Sequence, residues 1–466
     1  MATKPYKALL ERVQNGTPEQ VSPNNQKLLE KFLTIEHPGD VLFTKWSFPP
    51  ILKKAKGSRV WDVDGKEYID CIEGMSSMNL GHGDTRISEA VAREYAELDN
   101  WFDFPTEQRL KLAQRLIDLS PGKFAKRVRF GLSGSDAVEN AIRLARYYTK
   151  KQTIICFYGG YHGQSVGTMG LTGSGGMHRW YNPMPAADHC IERFPYAYCY
   201  RCPYGKEEGK CDFECVKAID TLMASCQTSM GNPMGGVNNV AAMIVEPCQS
   251  SAGYITPPVG FMKKLRELAD KYGFLLIADE IQTGMGRTGT MFCCEQSGVE
   301  PDMILVGKGL GAGFPISAVV GRAEIFEDTA PGFICSTYAG NNISCTVGNK
   351  VLDIYEEDHI LEKCRAAGEH AGKKLDELLA RHEVIGSYCR RGIYFGIEFV
   401  TDRATKEPGT KDAAIFVDKL KDAGVLAQLN GYYNNRISFI PPLNISLEDI
   451  DLIFQAVDSV LTEMGK

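Results

Sequence analysis

Five short apolar segments constrain this chain most: Val128-Arg-Phe-Gly131, Thr153-Ile-Ile-Cys-Phe157, Ala241-Ala-Met-Ile-Val245, Phe274-Leu-Leu-Ile-Ala278 and Met303-Ile-Leu-Val306. They are brief, rich in β-formers and mostly unbroken by charge, as strands buried on both faces of a mostly parallel sheet are. Amphipathic stretches lie between them, for example residues 136–148 and 261–271. Alternating strands and helices predict an α/β layered domain. After about residue 345 the pattern shifts to charged helices, residues 350–357 and 361–381, and a short sheet around 392–399. This predicts a second, smaller α+β domain. The expected division is an N-terminal arm with part of the small domain (1–70), a large domain (71–344) and a C-terminal small domain (345–466). The arm should carry one helical piece, residues 25–32, and a hairpin turning at Asp64-Gly65.

Charge narrows the partners. The 466 residues carry 52 Lys+Arg against 58 Asp+Glu, a net −6 without a basic tail, so nucleic acid is not expected. No apolar run reaches the roughly 18 residues of a membrane span. Residues 1–26 are polar and lack a signal-peptide core, so a cytoplasmic enzyme is expected. Most of the fifteen cysteines lie singly in apolar stretches, where a reduced thiol acts as a small hydrophobe. Cys199, Cys202, Cys211 and Cys215 differ, because their C-x2-C…C-x3-C spacing could hold a tetrahedral zinc. Reduced thiols packing the loop are the favoured reading there, and no metal is expected in the functional site.

What terminates the strands carries the chemistry. The first runs into Ser133-Gly134-Ser135, the second into Gly159-Gly-Tyr161-His162-Gly163, and the third into Glu246-Pro247. The fourth ends in Asp279-Glu-Ile281-Gln282 and the fifth in Gly307-Lys308-Gly309. In an open parallel sheet, ligands bind outside the carboxyl ends of the strands, so these segments should converge. Ser-Gly-Ser before a helix suits a phosphate, although an ordinary N-cap would read the same. A desolvated Lys308 can form an imine with an aldehyde. Asp279 closing an apolar strand needs a cationic partner, which a protonated pyridine nitrogen would supply.

The run Ile277-Ala-Asp279-Glu-Ile-Gln282-Thr-Gly, followed by Pro301-Asp-Met-Ile-Leu-Val-Gly-Lys308-Gly, resembles class III pyridoxal-phosphate aminotransferases. Phe157-Tyr-Gly-Gly-Tyr161-His162-Gly, Glu246-Pro247, Ser336-Thr337 and Arg436-Ile-Ser-Phe-Ile-Pro-Pro442-Leu match in order, from about Trp61 to the C-terminus. The resemblance implies the fold type I architecture with a mostly parallel sheet of the seven-stranded type, pyridoxal 5′-phosphate as cofactor, and a homodimer or dimer of dimers. It implies that Lys308 holds the cofactor and shuttles the proton, and that Asp279, oriented by His162, binds the pyridine nitrogen. Tyr161 and Ile281 would cover the ring faces and Gln282 would reach the ring hydroxyl. Gly134 and Ser135 would hold the phosphate with Thr337 of the partner subunit. Arg436 would grip a substrate carboxylate in bidentate fashion.

Several segments resemble the ω-amino-acid branch, whose members use donors such as 4-aminobutyrate, β-alanine or taurine and acceptors such as 2-oxoglutarate or pyruvate. That branch typically carries a Glu where this chain has Gln249-Ser-Ser251-Ala-Gly253. With Ser251 in its place, Arg436 is expected to stand charged and unpaired unless an anion fills the site. The serine pair resembles dialkylglycine decarboxylases, but Tyr161 and Met75 stand where those enzymes carry Trp and Gln. Decarboxylation-dependent transamination and racemisation are therefore the alternatives to simple transamination.

Overall fold

A computed structural model describes residues 5–36, 45–174, 190–226 and 228–466. The five anticipated strands lie in one seven-stranded sheet, with Ser317–Arg322 inserted beside the first of them. Its order is Lys126–Gly131, Ser317–Arg322, Met303–Val306, Leu275–Asp279, Val240–Val245, Thr153–Phe157 and Ile191–Phe194. The last five run parallel to one another, and Ser317–Arg322 is antiparallel to both of its neighbours. The chain is thus α/β, with a large, mostly parallel sheet. Two of the seven strands escape the sequence reading: Ile191–Phe194 at one edge, with charges at Glu192 and Arg193, and Ser317–Arg322.

Helices cover both faces. Gly134–Thr149 lays Ala137, Val138, Ala141, Leu144 and Ala145 onto Ile244, Ile277 and Leu305. Gly260–Tyr272 sets Phe261, Leu265 and Leu268 against Phe157, Met243 and Leu276 on the other face. All residues of Thr153–Phe157, Val240–Val245, Leu275–Asp279 and Met303–Val306 are buried, so polar chemistry is confined to the strand ends.

Among the described residues the arm holds two helices rather than one. Pro5–Gln14 pairs with Pro23–Ile35 through Leu9, Val13, Leu29 and Leu33. The Asp64-Gly65 turn forms between Arg59–Asp62 and Glu67–Asp70, with Gly65 at φ 87° where a side chain would be strained. Val425–Leu426 joins this hairpin as a parallel strand beside Glu67–Asp70. A further antiparallel sheet has the order Ile385–Arg391, Tyr394–Asp402, Arg436–Phe439 and Gln428–Asn430. Among the described residues no helix is long and apolar enough to cross a membrane.

Candidate active site

Parallel registry sets the centre. Asp279 pairs with Leu305, so the fourth strand ends three residues before Lys308 on the neighbouring strand. His162, arriving from the turn after Thr153–Phe157, meets Asp279 through Nδ1 and Oδ2 at 2.7 Å. Both side chains are buried, with exposures of 1% and 3%. Burial alone would lower the His162 pKa, but the hydrogen bond and charge of Asp279 outweigh it, and the net shift is upward. The pair is an imidazole that holds a carboxylate from behind.

Lys308 donates to Gln282 Oε1, and Gln282 Nε2 donates to Ser76 Oγ at 2.9 Å. Desolvation lowers the Lys308 pKa to about 8, against the opposing pull of Glu246 and Asp279. Its backbone sits at φ 45°, a left-handed conformation that lysine rarely adopts and that the surrounding structure must enforce. The amine is partly neutral near physiological pH, as a nucleophile requires.

At the opposite end, Ser133 caps the Gly134–Thr149 helix by accepting from the Asp136 amide. The helix begins at Gly134 and Ser135, and Ser135 Oγ accepts from the Gln164 amide at 3.3 Å. A Cβ on Gly134 would stand 3.1 Å from Ile281 Cδ1, and one on Gly307 would be 3.5 Å from Ile281 Cγ2. Ile281 therefore lies between the helix start and the lysine turn. Tyr161 is tied in through its amide, which donates to Glu246 Oε1 at 2.8 Å. The structure thus brings Gly134, Ser135, Tyr161, His162, Asp279, Ile281, Gln282 and Lys308 to one crevice. Its donors fit pyridoxal phosphate: helix-end amides for a phosphate, a nucleophilic amine, and a braced carboxylate for a ring nitrogen.

Other residues fall elsewhere. Met75 lies in the Glu73–Ser76 turn at φ 62°, beside Ser76. Thr337 is exposed, and its carbonyl accepts from Asn100 Nδ2 at 3.3 Å. Ser251 contributes its carbonyl to the Gly431 amide. Its neighbour Ser250 is the more deeply engaged, giving both amide and hydroxyl to Glu246 Oε2 at 2.9 and 2.7 Å.

The expectation of an unpaired Arg436 is overturned. Its side chain is fully buried and meets Glu398 Oε2 through Nη1 at 2.5 Å. Nε donates to the Gly253 carbonyl at 2.5 Å and Nη2 to the Gly396 carbonyl at 3.2 Å. The counter-charge comes from the next strand, because Glu398 and Arg436 are directly opposite in the antiparallel ladder. Tyr198 and Arg201, from the cysteine loop, also donate to Glu398. Burial would raise the Glu398 pKa, but Arg436, then Tyr198 and Arg201, hold it below the usual range. Glu398, Tyr198 and Arg201 are the residues that sequence reasoning does not place in this neighbourhood, whereas Glu246 is one of the strand ends expected to converge.

A buried amine beside a braced carboxylate, at the carboxyl edge of a mostly parallel sheet, defines an enzyme of imine chemistry. The chain belongs to the class-III aminotransferase family, whose model, described as Aminotransferase class-III, matches residues 44–461. It is 37% identical over 407 residues to a leucine/methionine racemase of Thermococcus litoralis, covering 86% of this chain and 88% of that protein. It is 36% identical over 404 residues to a 5-aminovalerate aminotransferase of Pseudomonas aeruginosa, covering 85% and 90%. A Bacillus anthracis aminotransferase structure superposes with TM-score 0.85 at 30% identity, covering 95% of this chain and 99% of that one. A PLP-bound amine transaminase structure from an uncultivated Pseudomonas species gives 0.82 at 26%, covering 92% and 98%.

Proposed function

We propose that this class-III aminotransferase moves the amino group of an ω-amino acid, such as 4-aminobutyrate, β-alanine or taurine, to 2-oxoglutarate or pyruvate, with pyridoxal 5′-phosphate held at Lys308. One observation carries the reading: the Lys308 amine, lowered to about 8, stands at the strand end beside the buried His162–Asp279 pair. The cofactor, when bound, supplies an aldehyde carbon for the amine and a ring that takes up electrons from the substrate. The rest falls to this chain's own residues. Lys308 Nζ takes the proton from the amine-bearing carbon and returns it during transfer. Asp279 keeps the ring nitrogen protonated, and His162 fixes Asp279 in place. Tyr161 and Ile281 cover the ring, Gln282 meets its hydroxyl, and Gly134 and Ser135 bind the phosphate. Arg436 reaches a substrate carboxylate only by exchanging Glu398 for it, so the two act as one unit, with Met75 and Ser251 as further substrate contacts.

The working form is a homodimer in which Thr337 completes the phosphate site of the second copy. Support comes from the surface around Thr337, where Trp101, Phe104 and Tyr338 are 59%, 68% and 59% exposed. Large apolar side chains grouped on a surface mark an interaction site. The test of function is a donor screen with purified enzyme, following alanine or glutamate formed from the two acceptors. Transfer from ω-amino acids supports the reading. A second reading, racemisation, is favoured by the 37% identity to the leucine/methionine racemase. Loss of optical activity from an L-amino acid without amino transfer would establish it instead, and CO2 release from a 2,2-dialkylglycine would point to decarboxylation.

A further inference from the structure

Seven cysteines, Cys71, Cys156, Cys248, Cys293, Cys294, Cys345 and Cys364, are buried among apolar side chains, as small hydrophobes would be. Cys199, Cys202, Cys211 and Cys215 are not. All four are partly exposed and unbridged, and all four line one cavity of about 210 Å³. The chain brings them together in two pairs. Cys199 and Cys202 flank a single helical turn after Ile191–Phe194, and Cys211 and Cys215 flank the start of the Glu214–Met223 helix. Lys206 lines the same cavity and supplies positive charge beside the sulfurs. Glu214, also in the lining, has a buried Oε2 with no hydrogen-bond partner among the described residues.

We infer that these four cysteines form a structural site for one thiophilic divalent cation, zinc first, that staples the 199–215 loop. Two short-spaced cysteine pairs facing one cavity are the ligand arrangement of closed tetrahedral sites. No three of the sulfurs lie within 4.8 Å of one another, whereas Asp70, Glu73 and His82 do. The thiols are partly exposed at the loop surface, so the loop closes around the ion as it binds, which is the usual coupling of metal binding to folding.

The site has a structural consequence. Tyr198 and Arg201 of the same loop donate to Glu398, and the Tyr200 carbonyl accepts from Lys406 Nζ at 2.9 Å. Stapling the loop therefore fixes the groups that hold the Glu398–Arg436 pair.

The test is metal analysis of the holoenzyme from zinc-replete cells after gel filtration in chelator. About one zinc per chain is expected, released by a mercurial thiol reagent. Cobalt substitution should give the visible bands of a tetrahedral thiolate site, a readout independent of activity. Cys202→Ser with Cys211→Ser should lower metal content at least about tenfold, while Cys190→Ser, an exposed cysteine outside the loop, should retain it. If the double variant does not fold, the mercurial and cobalt measurements on the unaltered protein decide. Metal below about a tenth per chain, with the loop thiols titrating at once in the native enzyme, would overturn the site. So would an intact mass showing the four cysteines oxidised to disulfides.

Discussion

The Lys308 crevice and the Glu398–Arg436 network are both buried ionic clusters, the first at strand ends and the second across a strand pair, yet they are built in opposite ways. Every nitrogen of the Arg436 side chain ends on a protein acceptor: Glu398, Gly253 or Gly396. Among the described residues the Lys308 amine has the side-chain carbonyl of Gln282 as its hydrogen-bond partner, and burial has lowered its pKa to about 8. A closed network stores little reactivity, because each charge already has its partner. An amine desolvated without a carboxylate on it is chemically poised. The difference separates an amine left open to reaction from a guanidinium whose partners are already in place.

The largest expected effect comes from Lys308→Ala. Turnover should fall by at least about 10³-fold, since nucleophile and proton carrier are lost together. Melting temperature should stay close to that of the unaltered enzyme, because no closed pair is broken. Near-normal single-turnover rates in the variant would erase the contrast. Asp279→Asn should follow, with kcat down about 10²-fold or more while the fold persists, because an amide cannot hold a ring nitrogen protonated. His162→Ala should act in the same direction but less severely, since it acts through Asp279.

The closed network breaks differently. Glu398→Gln leaves Arg436 buried without its counter-charge and should cost about 3–5 kcal/mol in denaturant unfolding. Replacing the pair with apolar residues, Glu398→Leu together with Arg436→Met, should recover part of that loss, because no bare charge remains in the interior. If Glu398→Gln is as stable as the parent, the pair is not the closed unit described above.

The poised amine has a pH signature. Its folded-state pKa lies below its ordinary value, so the unfolded chain binds more protons between about pH 8 and 10.5. Stability of the cofactor-free enzyme should rise with pH through that window and be flat below it. Uptake of pyridoxal phosphate should quicken about tenfold between pH 7 and 9, as the neutral amine fraction grows. A midpoint near 10.5 in stopped-flow measurements would show that the crevice does not desolvate Lys308.

The two regions also differ in how they could be read. The strand-end motifs were legible because parallel βα order places consecutive strand ends on one edge, whatever the distance in sequence. Asp279, His162, Lys308 and the helix start at Gly134 are all local endings of apolar runs. Ser317–Arg322 was missed because a buried antiparallel strand gives no connection signal different from its parallel neighbours. Pro5–Gln14 was missed because its apolar face is narrow, with Leu9 and Val13 the buried positions the structure records. The Glu398–Arg436 contact depends on the register of two strands separated by the Thr410–Asp422 helix, and register is a tertiary property. The counter-charge of Arg436 therefore lies across a strand pair and not in the segment after Glu246.

That correction yields the smallest expected effect. Were Arg436 unpaired, placing a carboxylate at Ser251 would neutralise it and favour uncharged-tail amines over anionic donors. Glu398 already supplies the counter-charge at Nη1, and Gly253 and Gly396 accept from Nε and Nη2, so a glutamate at 251 meets an arginine that is already paired. Ser251 is partly exposed and engages Gly431 through its backbone carbonyl, which the substitution leaves in place. Ser251→Glu should therefore change the ratio of kcat/KM values for anionic and uncharged-tail donors by less than about twofold, under 0.5 kcal/mol of transition-state discrimination. Glu398→Gln should alter that ratio more, because it releases the guanidinium to a substrate anion. A large shift with Ser251→Glu and none with Glu398→Gln would mean that a carboxylate at 251 reaches substrate directly, and that the closed network lies outside the specificity of the site.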